Sequence, residues 1–257
     1  MRRGETGSSL SVMAHRLDEH GNPSTKVGQR APKSVERARL RSEDPMRGLY
    51  AIVDVTTLTR LDLSVTDVAS ALVAARPAAL QLRAKDLAPS ETLQLLRALH
   101  PICRTAGVPL FANDRADLAA LAGCEGVHVG QEDMPIATIR RIAPALLIGV
   151  STHSAEQVRR ALADRPDYIA LGPIFETSSK ARPDPVVGIE TLRAVAAVCP
   201  VPLVAIGGID LARAAEVGRT THLGAVIAGL FPEHPGDCNL MSIRDRACAL
   251  QAALACN

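Results

Sequence analysis

From Leu49 onward the chain repeats one unit eight times, a short β-branched run followed by an Ala/Leu-rich amphipathic stretch. The runs are LYAIVD (49–54), ALQLRAK (79–85), PLFAN (109–113), GVHVG (126–130), LLIGVS (146–151), DYIALG (167–172), PLVAIGG (202–208) and LGAVIAG (223–229). Between them lie segments of helical period such as ETLQLLRALH and AEQVRRALA. Strands separated by helices pair in parallel, and eight such units close into an α/β fold, the (β/α)8 TIM barrel. The alternative, an open doubly wound sheet, would be expected to carry a GxGxxG turn after its first strand, and none is present. A chain of 257 residues has room for one barrel, and a hydrophobic share of 47% fills its core. Helix starts agree with this division: Ser64 with Asp67 and Ser154 with Gln157 have capping-box spacing, and Asp210 stands where the seventh unit's helix needs a cap.

Residues 1–45 are rich in Arg, Ser, Gly and Glu and show neither apolar period, so they read as a flexible N-terminal extension to a barrel domain at 46–257. Glu5, Asp18 and Glu19 argue against an organelle transit peptide, which avoids acids. Met46 stands directly before the first strand, and the expectation is that natural translation starts there or at Met13; the intact mass of the native protein tests this.

A net charge of +2, with three Phe, two Tyr and no Trp, offers no basic and aromatic surface for nucleic acid. No apolar run reaches the length of a membrane span. The six cysteines are scattered without a CxxC pair, as expected of reduced thiols in a cytoplasmic chain. A homo-oligomer is compatible with the sequence.

Active sites of such barrels lie at the carboxyl ends of the strands. On the second strand, alternation puts Leu80, Leu82 and Ala84 toward the helices and Gln81, Arg83 and Lys85 inward. Two inward cations near the mouth repel unless an anion offsets them, and an Arg fork beside a Lys suits a diphosphate. The plainer reading is an internal salt-bridge network with Asp114 or Asp133. Asn113 and Asp114 end strand three, and Asp133 follows strand four. Two carboxylates at neighbouring points of the rim are what Mg²⁺ takes from protein when phosphates and waters complete its shell, whereas either alone would read as a helix cap. His128 faces inward on strand four, where a hydrogen-bonded core role outweighs a ligand role.

Ser151 ends strand five and can bond a ring or an anion, while Ser154 reads as a cap. No Asp or Glu pairs recognisably with Ser151 and His153, so a hydrolase triad is not expected. FETSSKARPDP (175–185) is too polar and Pro-broken for helix; its Thr177, Ser179 and Lys180 suit a lid over phosphate. Gly207, Gly208 and Gly229 after strands seven and eight let backbone N–H groups approach an anion, the usual barrel phosphate site.

The strings QLRAKD, FANDRADLA, GVHVGQED, IGVSTHS, LGPIFETSSK and VAIGGI, in this order and at these strand ends, resemble the thiamine phosphate synthase family over residues 48–231. The resemblance implies a Mg²⁺-dependent transferase. It would join 4-amino-5-hydroxymethyl-2-methylpyrimidine diphosphate to 4-methyl-5-hydroxyethylthiazole phosphate, giving thiamine phosphate and pyrophosphate. By position it implies that Arg83, Lys85 and Asn113 contact the diphosphate, with Lys180 closing from the lid, and that Asp114 and Asp133 hold the metal. Gln81 and Ser151 would face the pyrimidine or its diphosphate. Thr177 and Ser179 would contact the thiazole phosphate, cradled by Gly208, Ala228 and Gly229. The family commonly has Ser where Gly229 stands, which leaves only backbone there. The rivals are a thiazole tautomerase on the same barrel, for which the inward His128 speaks, and a non-catalytic phosphate-binding barrel, which has no need of both carboxylates and the lid lysine. A Schiff-base aldolase would need a Lys in the sixth run.

Overall fold

The first run, Gly48–Asp54, is fully buried along its length and forms strand β1. It is followed by β2 (Ala79–Arg83), β3 (Leu110–Asn113), β4 (Gly126–Val129), β5 (Leu147–Thr152), β6 (Tyr168–Leu171), β7 (Leu203–Ile206) and β8 (Leu223–Val226). The computed structural model describes residues 46–177, 184–221 and 223–256. Each strand pairs in parallel with the next, and β8 returns to β1 in the register Gly48↔Leu223, closing the expected (β/α)8 barrel. The expected strand runs are all found, most of them trimmed by one to three residues at an end.

The helices are α1 (Val55–Arg60), α2 (Val65–Val73), α3 (Pro89–Ala106), α4 (Ala116–Ala122), α5 (Ile136–Ile142), α6 (Ala155–Ala163), α7 (Ile189–Ala196), α8 (Leu211–Thr220) and α9 (Leu240–Ala255). The expected caps are in place: Ser64, Ser154 and Asp210 accept from the backbone N–H groups of Asp67, Gln157 and Arg213. Neither serine completes a reciprocal box in the way the spacing suggests; the Gln157 side chain takes the His153 N–H at 2.6 Å instead. The last helix, α9, seals the β8–β1 seam, where Gln251 accepts from the Leu49 N–H at 2.7 Å.

Period-two alternation divides the buried side chains into two layers. Leu49, Ala51 and Val53 of β1 join Leu80 and Leu82 of β2 in the large apolar layer between strands and helices. Tyr50, Ile52, Phe111, Tyr168, Val204 and Ala225 fill the barrel itself. Three aromatic rings meet there, with centroids 5.7 to 5.9 Å apart. Gly126 and Gly149 make room for them, since a Cβ at either would run into the Phe111 or the Tyr168 ring. This aromatic plug closes the barrel floor and leaves the polar inward residues above it facing the mouth.

Candidate active site

Alternation on β2 places Gln81 and Arg83 inward as expected, and both line a cavity of about 780 Å³ in the barrel mouth, to which all eight strands contribute. The strand itself stops at Arg83, because its pairing with β1 runs out at Asp54↔Arg83 and with β3 at Leu82↔Ala112. Lys85, expected as the third inward residue of a longer strand, therefore lies in the turn beyond. It still lines the cavity, with Nζ 3.5 Å from Asp114 Oδ2.

Lys85 meets Asp114 as the plainer salt-bridge reading expects, whereas Arg83 pairs with neither Asp114 nor Asp133. Its Nη1 donates to Oδ1 of Asp54 at 2.5 Å. Asp54 is the buried last residue of β1, and its other oxygen accepts from the Thr57 N–H (3.0 Å) and hydroxyl (2.7 Å), capping α1. A strand end and a helix start thus fix the carboxylate that fixes the guanidinium. One of the five guanidinium N–H groups is committed in this way, and the rest of the fork remains for a ligand. Sequence reasoning missed Asp54, although it is the strand-end residue of its own run.

Asp114 sits just past β3 in the left-handed region, φ 61°, an uncommon conformation outside glycine that persists where surrounding structure holds it. Its N–H donates to the His128 carbonyl at 2.8 Å, which sets it beside β4. Asp133 Oδ2 accepts from the Gly130 N–H at 2.6 Å. Neither carboxylate caps the following helix: the N-cap positions of α4 and α5 are Arg115 and Pro135, with no side-chain cap bond. Burial first, and then the neighbouring Asp133 carboxylate, push the Asp114 carboxyl above its ordinary range, while Lys85 opposes the shift. Two hard oxygen donors facing one another with too little positive charge between them fit a divalent cation of the Mg²⁺ kind. Among the described residues no group of three or more His, Cys, Asp and Glu is suited to a metal. A cation bound by Asp114 and Asp133 would therefore complete its shell from phosphate oxygens and water. Asn113, the last residue of β3, lines the same wall.

Beneath this rim a line of polar groups crosses the barrel. Gln81 Nε2 donates to Tyr50 Oη (3.1 Å), and Tyr50 Oη lies 2.9 Å from Tyr168 Oη. Tyr168 Oη lies 2.9 Å from His128 Nδ1, and His128 Nε2 lies 2.8 Å from Ser151 Oγ. His128 thus has the hydrogen-bonded core role expected of it. Burial raises both tyrosine hydroxyls above the ordinary phenol range, so both stay protonated. The sequence singled out Gln81, His128 and Ser151 but not the tyrosines, whose inward positions follow from the same alternation.

Ser151 and His153 also line a second cavity of about 710 Å³, which shares them and Ile206, Ala225 and Ile227 with the first and is walled by Thr177 and by Gly207, Gly208, Ala228 and Gly229 after β7 and β8. Gly207 and Gly208 have φ of 98° and 66°, and a Cβ on Gly208 would strike the Glu176 carbonyl. Arg213 pins this turn: Nη1 donates to the Gly208 carbonyl at 2.8 Å, and the guanidinium lies 4.8 Å from the centroid of the Phe175 ring. Asp210 occupies the start of α8, so the anion-suited backbone here is that of the glycine turn and of the short 3-10 turn Ala228–Leu230. A side chain at Gly229 would collide with the Ile209 carbonyl; glycine lets the turns after β7 and β8 close on each other.

His153 does have an acidic neighbour, Asp184, whose Oδ2 lies 3.5 Å from Nε2, while Nδ1 lies 2.6 Å from the Gly172 carbonyl. Asp184 is 31 residues away in sequence, across the β6 loop, so spacing gave no sign of it. A hydrolase triad is still not formed, because Ser151 bonds His128 rather than His153. Ser179 and Lys180, expected in the lid, lie outside the described residues.

A closed eight-stranded barrel with its polar groups gathered in two joined cavities at the strand carboxyl ends defines a (β/α)8-barrel enzyme. Residues 49–230 match the family model for thiamine monophosphate synthase, and the chain belongs to that family. It is 40% identical over 165 residues to the thiamine-phosphate synthase of Roseiflexus sp. (strain RS-1), covering 64% of this chain and 70% of that one. Against the thiamine-phosphate synthase of Koribacter versatilis (strain Ellin345) the identity is 46% over 168 residues, 63% of this chain and 77% of the relative. The solved structure of thiamine phosphate pyrophosphorylase from Pyrococcus furiosus superposes with a TM-score of 0.69 at 30% identity, covering 85% of this chain and 97% of that one. The enzyme is a transferase of thiamine biosynthesis. Among the described residues no helix is long and apolar enough to cross a membrane.

Proposed function

We propose that the chain joins 4-amino-5-hydroxymethyl-2-methylpyrimidine diphosphate to 4-methyl-5-hydroxyethylthiazole phosphate, forming thiamine phosphate and pyrophosphate with Mg²⁺ bound. The observation that carries the reading is the pair of joined cavities, one walled by Arg83, Lys85, Asp114 and Asp133 and the other by the glycine turns after β7 and β8. Two anion-suited pockets meeting at Ser151 match two phosphorylated substrates that meet at one bond.

In this reading the diphosphate lies against Arg83, Lys85 and Asn113, with Lys180 added from the lid. Asp114 and Asp133 would hold Mg²⁺, which when bound would supply positive charge for the leaving pyrophosphate. Gln81 and Ser151 face the pyrimidine end, and Thr177, Ser179, Gly208, Ala228 and Gly229 surround the thiazole phosphate. The bond from the pyrimidine methylene carbon to the diphosphate oxygen breaks with its electron pair leaving on oxygen. The aminopyrimidine stabilises the resulting cation, and the thiazole nitrogen lone pair forms the new C–N bond. No proton need move, so the requirement is charge stabilisation of the leaving group rather than a base. The inventory agrees: cations stand at the rim, and His128 is engaged at both ring nitrogens with Tyr168 and Ser151. That engagement speaks against the tautomerase alternative, which needs an acid and base open to substrate. The six free cysteines support a reducing, cytoplasmic setting. Incubation of the purified protein with both substrates and Mg²⁺ is expected to yield thiamine phosphate and pyrophosphate; release of an isomerised thiazole phosphate alone would favour the tautomerase.

A further inference from the structure

The chain Gln81–Tyr50–Tyr168–His128–Ser151 draws on β2, β1, β6, β4 and β5, and four contacts of 2.8 to 3.1 Å join it. With a neutral His128 ring, each inner member has one hydrogen to donate, so the direction of one link sets the next. Gln81 starts the sequence, because an amide nitrogen can only donate. Arg83 shares the inward face of β2 above it, and its guanidinium favours the amide with its oxygen toward the mouth and its nitrogen toward Tyr50. Tyr50, already accepting from Gln81 and buried beside Tyr168, gives its hydrogen to Tyr168 Oη. Tyr168 then gives its own to His128 Nδ1. Nδ1 is therefore an acceptor, the ring hydrogen sits on Nε2, and Nε2–H donates to Ser151 Oγ. With Gln81 Nε2 donating to Tyr50, the opposite direction would bring two hydrogens into one link or leave a buried hydroxyl hydrogen unpaired.

We infer that this chain has a single polarity and that it presents the Ser151 hydroxyl, at the joint of the two cavities, as a hydrogen-bond donor. Ser151 then selects a ligand atom that is an unprotonated acceptor, a ring nitrogen or a phosphoryl oxygen, and Tyr50, Tyr168 and His128 are positioning residues acting through it. The identity of the acceptor rests on the substrates proposed above; the polarity does not.

The first test is the ¹⁵N NMR spectrum of His128 in the full-length protein. A protonated, pyrrole-like Nε2 with a pyridine-like Nδ1 is expected, and the reverse tautomer would overturn the inference. Gln81→Glu supplies a carboxylate that only accepts, so it should move the ring hydrogen to Nδ1; an unchanged spectrum would show that Gln81 does not set the direction. The second test is binding of 4-amino-5-hydroxymethyl-2-methylpyrimidine alone and of inorganic pyrophosphate alone. Ser151→Ala should weaken one of them about tenfold, the worth of one well-made hydrogen bond. Loss for the pyrimidine assigns the ring nitrogen, loss for pyrophosphate assigns the phosphoryl oxygen, and no loss for either would refute the donor role. Failure to form thiamine phosphate would sink the proposed reaction and leave the tautomer result standing.

Discussion

The two cavities at the barrel mouth are built by different means. On the β2–β4 side the wall is made of charged side chains, each held by a nearby group: Arg83 by Asp54, Lys85 beside Asp114, and Asp133 by its own loop N–H. On the β7–β8 side it is made of backbone, with glycines in conformations other residues resist and with Arg213 clamping the turn from outside the cavity. Side chains can carry charge that must be offset as a bond breaks. Backbone N–H groups supply dipoles without net charge, enough for a phosphate that binds but does not react. In the proposed reaction the contrast puts the diphosphate at the first wall and the thiazole phosphate at the second.

Substitutions should break the contrast in graded fashion. Arg83→Ala removes the bidentate cation and leaves Asp54 buried without its partner, so kcat/KM for the diphosphate is expected to fall about a thousandfold. Steady-state kinetics check this, and near-normal turnover would refute the charged-wall assignment. Asp114→Asn should lower turnover about a hundredfold and raise the Mg²⁺ concentration needed for half-activity; an unchanged metal requirement would move the metal elsewhere. Asp54→Asn keeps the shape but weakens the hold on Arg83, for an expected loss of about fiftyfold with the fold intact by circular dichroism. The backbone wall should answer differently. Gly208→Ala, strained by its φ of 66°, is expected to raise KM for the thiazole phosphate about tenfold and to leave KM for the diphosphate unchanged. A rise in both would mean that the cavities are not separable.

The smallest expected effect is on stability. Burial and Asp133 raise the Asp114 carboxyl, so the folded chain holds this proton to higher pH than the unfolded chain does. Stability then falls as pH rises through the raised value, and at neutral pH the ionised group is a cost. Metal-free Asp114→Asn should therefore melt at a higher temperature than the parent at neutral pH. The difference should vanish below the ordinary carboxylate range, where both states of the parent are protonated. A lower melting temperature at neutral pH would contradict the shift.

The fold was legible because its signal repeats: eight short runs, each followed by an amphipathic stretch, leave little choice but a closed parallel sheet. Alternation also placed Gln81 and Arg83 correctly, since both facts concern one strand. What could not be read are pairings between distant strands. Arg83 meets Asp54 across 29 positions, and Tyr50 meets Tyr168 across 118. Only barrel closure brings such residues together, and both tyrosines sat in runs that looked merely apolar. Lys85 was misplaced on a strand because the end of a strand depends on where its neighbours stop pairing. Gly229 reads as a lost side chain in the sequence, whereas the structure gives it a reason, the close approach of the Ile209 carbonyl.

The central claim, that the charged wall and the backbone wall each bind one of two substrates joined at their meeting point, is tested most directly by one reaction. The purified protein is mixed with the pyrimidine diphosphate and the thiazole phosphate, with and without Mg²⁺, and products are followed by chromatography. Thiamine phosphate and pyrophosphate should appear in equal amounts with metal present and only with both substrates. Absence of thiamine phosphate under those conditions would contradict the account.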